Sequence, residues 1–171
     1  VFVELPANAI KARIVSKDCQ RDAPKKIIGP KEKSEIYQKI FKDIKDELLQ
    51  VYAQKTGILA DDFEFLTLEG LKISIDGYEV PEIQGFSGKC LNFVFLTTFL
   101  PKNYHQRMEK ICRDLKLPNV KFFHEAQGLK YYAAAEKLTG TFVNIGGSIT
   151  KIFLVNGGKL ESVSDFNIGS Q

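Results

Sequence analysis

Apolar residues recur every four positions at Ile36, Ile40, Ile44, Leu48 and Tyr52, and Tyr37, Phe41 and Val51 widen the stripe. That spacing lays one continuous apolar face along an α-helix. Pro30 opens the segment where a missing N–H costs nothing, and Gly57 is suited to the left-handed residue that ends a helix. Glu35 with Lys39 and Lys42 with Asp46 lie four apart on the polar side. The pattern predicts one long helix between Pro30 and Gly57.

The other patterns read mostly as strands. Val1–Leu5 is a short apolar strand closed by Pro6, and Lys11–Ser16 alternates as a second, followed by a polar loop over Lys17–Gly29. Phe63–Leu68 and Leu71–Asp76 predict a hairpin around Glu69-Gly70. Its second strand has a wet face, because Leu71, Ile73 and Ile75 alternate with Lys72, Ser74 and Asp76. Asp76-Gly77 ends that strand, and Gly77–Gly88 is a loop. Leu91–Leu100 is almost continuously apolar, as a central strand covered on both faces would be.

Pro101 stops it, and Asn103 is placed to cap a helix running to Leu115, with Met108, Ile111, Cys112 and Leu115 inward. Val120–Phe123 reads as a short strand, and Ala126–Leu138 as an Ala-rich helix.

The closing segment carries the candidate chemistry. The apolar run from Thr139 ends in Asn144, turns through Gly146-Gly147-Ser148 and returns apolar from Thr150 to Val155. Asn156-Gly157-Gly158-Lys159-Leu160 then makes another turn, and Glu161–Ile168 is a third strand ending in Gly169-Ser170. Paired glycines permit positive φ and close backbone approach, and N–H groups converging in such a bend form an anion-binding concavity. Asn144, Gly146, Gly147, Ser148 and Thr150 are the candidate phosphate or Mg²⁺-water contacts. By local spacing alone the same residues are an ordinary glycine hairpin.

The predicted order is β-β-α-β-β over residues 1–88, then β-α-β-α and β-β-β over 89–171. The fold class is α+β, with a small strand–helix–strand–strand unit followed by a portion of α/β character.

Composition narrows the function classes. The 171 residues are 44% hydrophobic and 26% charged with a net charge of +3, ordinary for a globular chain and no argument for nucleic acid. The basic run from Arg21 to Lys33 is diluted by Asp22 and Glu32 and reads as a solvated loop. Cys19, Cys90 and Cys112 are scattered, which fits a reducing, cytoplasmic setting and suggests neither a zinc site nor a disulfide framework. No apolar run is long enough to span a membrane and no signal peptide is visible, so no direct membrane contact is expected from this segment. His105 and Cys112 are seven apart, too far to share a hydrogen bond, and Asp61-Asp62 reads as a turn. Phe93, Phe95, Phe99, Phe122 and Phe123 read as core, since no basic residues interleave with them.

The segment Val143-Asn144-Ile145-Gly146-Gly147-Ser148-Ile149-Thr150, with the strands and glycine turns that follow, resembles the second phosphate loop of the actin-like ATPase superfamily. Two residues depart from that pattern: Asn144 stands where the family usually has Asp, and Ser148 replaces a third Gly. A neutral amide orients a metal-bound water but supplies no charge to favour Mg²⁺. The resemblance therefore implies a site weakened for hydrolysis.

The whole layout resembles FtsA-like cell-division proteins and their PilM-like relatives of pilus assembly. The resembling residues are mainly Asp76-Gly77, Gly85–Gly88, Ala133–Ala135 and Asn144–Thr150. In that family the strand–helix–strand–strand unit, called SHS2, is a contact surface. Residues 1–88 would be this unit and 89–171 part of the ATPase core. The missing initial Met and the stop at Gln171 suggest a piece of a longer protein, without the first phosphate loop, the adenine-binding part or a membrane-targeting helix.

The resemblance implies ATP and Mg²⁺ only for a full-length parent, and no cofactor for this piece. The partners it implies are other division or assembly proteins, and self-association. Three functions follow from it: a division-type scaffold, a PilM-like scaffold binding a partner peptide, and a nucleotide-binding ATPase or kinase fragment. Asn144 speaks against the third.

Overall fold

The computed structural model describes residues 1–5 and 9–170, so the strand stop expected at Pro6 lies outside the described residues. The elements run β1 (Phe2–Glu4), β2 (Lys11–Gln20), α1 (Pro30–Thr56), β3 (Phe63–Ile75), β4 (Tyr78–Glu79), β5 (Cys90–Pro101), α2 (Lys102–Asp114), β6 (Lys121–Phe123), α3 (Glu125–Glu136), β7 (Gly140–Ile145), β8 (Thr150–Asn156) and β9 (Lys159–Phe166). The fold is α+β, as expected. Among the described residues three sheets form: a parallel pair β1-β6, a four-stranded sheet in the order β2-β5-β3-β4, and a meander β7-β8-β9.

The chain divides into two compact units. One comprises Val15–Asp61 and Glu69–Phe95; the other holds Val1–Ile14, Asp62–Leu68 and the chain from Leu96 onward.

In the first unit α1 packs on β5, with Tyr37 edge-on to Phe93 (5.5 Å between ring centroids) and Phe41 edge-on to Phe95 (5.7 Å). Gly57 closes the helix in a left-handed conformation, its N–H on the Ala53 carbonyl. The buried stripe is Ile36, Ile40, Ile44, Leu49 and Tyr52, with Leu49 inward where Leu48 was expected. Each four-residue step overshoots a turn by about 40° at 3.6 residues per turn, so over 27 residues the inward face moves around the helix.

The expected hairpin around Glu69-Gly70 does not form, because β3 runs unbroken through both residues. The turn sits instead at Asp76 (φ 49°) and Gly77 (φ 89°), where Ser74 pairs with Glu79 and Ile75 with Tyr78. A two-residue turn with both φ values positive matches strand twist and favours Asp-Gly; Gly70 has no such φ. The Asp76 carboxylate also accepts the N–H groups of Cys90 (2.8 Å) and Lys89 (3.1 Å), which hold its pKa below the usual value.

The loop expected at Lys17 begins later, since β2 continues to Gln20. As an edge strand it carries polar side chains that hide its alternation. Asn92 bonds Ser16 and Asp18 there, and Lys17 pairs with Glu47. Arg21, 2% exposed at its side chain, then binds Glu32 and the carbonyls of Lys26 and Gly88, closing the two loops on each other.

In the second unit every residue of β5 from Leu96 to Leu100 is buried, whereas Cys90 to Phe95 alternates. Phe99 meets Phe63 and Phe65, and Leu5, Ile10 and Leu100 form a core cluster with Leu66, Tyr104, Met108 and Phe122. Tyr104, Met108 and Cys112 define the inward stripe of α2. Ile111 and Leu115, expected inward, are exposed because they lie on the adjoining face. Asn103 is inside the first turn, and Pro101 precedes the helix without a side-chain cap. His105 binds Glu64 and rests edge-on against Phe122. α3 begins one residue before the expected Ala126 and ends at Glu136, where Lys137 turns left-handed (φ 51°) and stops it. No helix among the described residues is long and apolar enough to cross a membrane.

Candidate functional site

β7 and β8 pair in antiparallel register from Gly140↔Val155 to Ile145↔Thr150, and Gly146 to Ile149 form the bend between them. The hairpin therefore brings all five candidate residues into one place. Pairing also fixes direction. Asn144 sits opposite Lys151, so both side chains project to the face that holds Phe153 and Val155.

Three polar groups converge on that face. Asn144 Nδ2 donates to Glu125 Oε2 at 2.6 Å, and Lys151 Nζ reaches Glu125 Oε1 at 2.5 Å. The Lys151 side chain is 5% exposed and that of Glu125 20%. Glu125 opens α3, and the preceding His124 fixes where it stands: its Nδ1 accepts the Ala126 N–H, while the Gln127 side chain returns to the His124 N–H. This reciprocal cap satisfies two of the donors that a helix start leaves open.

His124 is 2% exposed. Burial lowers its pKa from 6.5 to about 3, and Lys151, Lys11 and Arg13 push the same way against Asp165. With Nδ1 an acceptor, the ring is neutral with its proton on Nε2. Asp165, on β9, takes the Lys11 ammonium at 2.7 Å and pairs with Arg13. Burial alone would raise Asp165, but these two cations outweigh it and hold its carboxyl below the usual range.

The bend uses much of its own hydrogen-bonding capacity. The Gly146 N–H donates to the Ile149 carbonyl at 3.0 Å, and the Gly146 carbonyl accepts from the Ser170 N–H at 3.0 Å. Thr150 Oγ1 donates to the Ile168 carbonyl at 2.6 Å. Gly146 does not adopt the left-handed conformation that its glycine would permit. The segment after β9 thus lies across the bend, and Gly169 is required there. A Cβ at that position would stand 2.0 Å from the Gly147 oxygen and 2.5 Å from the Ser148 nitrogen, both backbone atoms. We expect Gly169→Ala to destabilise the fold by about 2 kcal/mol or more, read as a lower urea midpoint. An unchanged midpoint would contradict this packing.

Beside Asn144 a groove of about 350 Å³ is lined by Glu125, Leu129, Phe142, Val143, Asn144, Ile145 and Phe153. Its wall is apolar apart from one amide and one carboxylate. Among the described residues no group of three or more His, Cys, Asp or Glu is arranged to hold a metal ion.

Sequence reasoning missed Lys151, Glu125 and Asp165 as members of this cluster. The available signal was Lys151 itself, a charge sharing strand parity with Phe153 and Val155.

No protein-family model matches the chain, and no curated protein matches it either. Among solved structures, the PilM–PilN type IV pilus biogenesis complex is similar, with a TM-score of 0.60 at 13% identity over 98% of this chain. The match spans 42% of that structure's chain, so this chain covers less than half its length. The likeness shows that the chain shares the fold of that portion of the complex.

Proposed function

We propose that this chain is a partner-binding scaffold portion of an actin-fold protein of the FtsA and PilM type, and that it does not turn over ATP. One observation carries the reading: Glu125, the carboxylate that meets the phosphate-type hairpin at Asn144, is engaged by buried Lys151 and by the Asn144 amide. A site for nucleotide and Mg²⁺ needs free N–H groups converging on phosphate and an uncompensated carboxylate for the metal. Here the Gly146 N–H serves the hairpin, and the carboxylate of the adjoining groove is already paired with a cation. The residues present do not fit the ion and its nucleotide.

The residue pattern supports a division-type scaffold. The similar complex, built from PilM and PilN, supports a second reading in which this chain serves pilus assembly by binding a PilN-type partner. In both, function is protein contact. Phosphate release from ATP with Mg²⁺ tests the shared claim: we expect none above the buffer control. Release by the wild type that Gly146→Val abolishes would overturn it.

A further inference from the structure

The C-terminal half of α2 and the loop leading to β6 concentrate the charge of the chain. Residues 107–121 hold five basic side chains (Arg107, Lys110, Arg113, Lys116, Lys121) and two acidic ones (Glu109, Asp114), a net +3 that equals the formal net charge of all 171 residues. The rest of the molecule balances to zero.

The five basic residues are exposed, and they are interspersed in sequence with apolar side chains that are also exposed: Ile111 at 48%, Leu115 at 64% and Leu117 at 36%. Beside them lies a groove of about 180 Å³ lined by Cys112, Arg113, Leu117, Val120 and Phe122, and by Glu109, which pairs with Arg113 at 3.7 Å. An exposed apolar patch with a polar rim marks an interaction site, and the net positive charge of this segment favours an acidic partner.

The backbone adds a second observation. The Lys116 N–H binds the Arg113 carbonyl (2.9 Å) and the Leu117 N–H binds the Cys112 carbonyl (3.0 Å), the paired bonds of a helix-ending motif whose left-handed residue is usually Gly. Here that residue is Lys116, at φ 53°. The chain keeps a charged side chain where the backbone favours none.

We infer that this groove binds a short acidic peptide segment of a partner protein, anchored by one or two aliphatic side chains and steered by the basic side chains. The inference rests on the partner-binding reading and names its surface and the chemistry of its partner. A concave pocket takes a side chain better than it takes a lipid surface, and three apolar residues insert little into a membrane.

Panning a random peptide display library against the chain at low salt tests this. Selected sequences are expected to place Asp or Glu beside Leu or Ile, and to lose about tenfold or more in affinity against Arg113→Glu/Lys116→Glu. Lys116→Gly removes backbone strain, so its thermal midpoint should rise while peptide affinity falls, a combination that misfolding cannot produce. Selected peptides indifferent to both variants would overturn the groove and leave the partner-binding reading standing. Failure to select any peptide, or binding only to phosphatidylserine vesicles, would also overturn it. ATP turnover would instead remove the scaffold reading while leaving peptide capture at the groove intact.

Discussion

As the pH falls below 6.5, the fold is expected to lose stability through His124 at about 1.4 kcal/mol per pH unit. The ring is buried neutral, with a folded pKa of about 3 against 6.5 unfolded. A depressed value means that the unfolded chain takes up the proton first. Stability from this group is whole above 6.5 and declines steadily towards about 3. Asp165, whose carboxyl is also held low, adds loss in the same direction at lower pH. His124→Asn keeps a side chain able to cap the helix but cannot titrate, so its stability should stay nearly flat over the upper part of that window. Urea midpoints measured across pH check this, and equal slopes for both proteins would contradict it.

Lys151→Ala should cost about 3 kcal/mol, because it leaves the largely buried Glu125 without its cation. Pairing Lys151→Met with Glu125→Gln should recover most of that loss, since apolar bulk replaces the stem and no charge remains to be solvated. Equilibrium urea unfolding of the single and double variants decides the point. A loss within about 0.5 kcal/mol for Lys151→Ala would mean that the pair behaves as an exposed one.

Much of the fold was legible in the sequence because its local signals agree with its packing. α1 announced itself through Pro30, Gly57 and a stripe that only a helix can bury. The closing meander did so through alternation interrupted by glycine turns. Failures fell where two signals competed. Glu69-Gly70 looks like a turn in isolation, but the stronger turn at Asp76-Gly77 lay a few residues on and β3 had no reason to break earlier. In α2 the apolar Ile111 and Leu115 invited an inward assignment, although Tyr104, Met108 and Cys112 already completed the buried stripe.

The candidate site was half legible. Asn144, Gly146, Gly147, Ser148 and Thr150 are close in sequence, so one hairpin gathers them. The groups that set its electrostatics come from α3, β8, β9 and β2. Only the tertiary fold brings Glu125, Lys151, Asp165, Lys11 and Arg13 together, and no spacing rule reveals such a set. The need for Gly169 was equally hidden, since it arises from a backbone contact across about twenty residues of intervening chain.

Isothermal titration of the chain with ATP in the presence of Mg²⁺ addresses the central claim directly, that the bend's charges and Gly146 hydrogen bonds are already engaged within the protein. We predict no saturable heat, for the wild type as for Gly146→Val. A saturable, Mg²⁺-dependent heat that Gly146→Val removes would show an open nucleotide site and contradict the account.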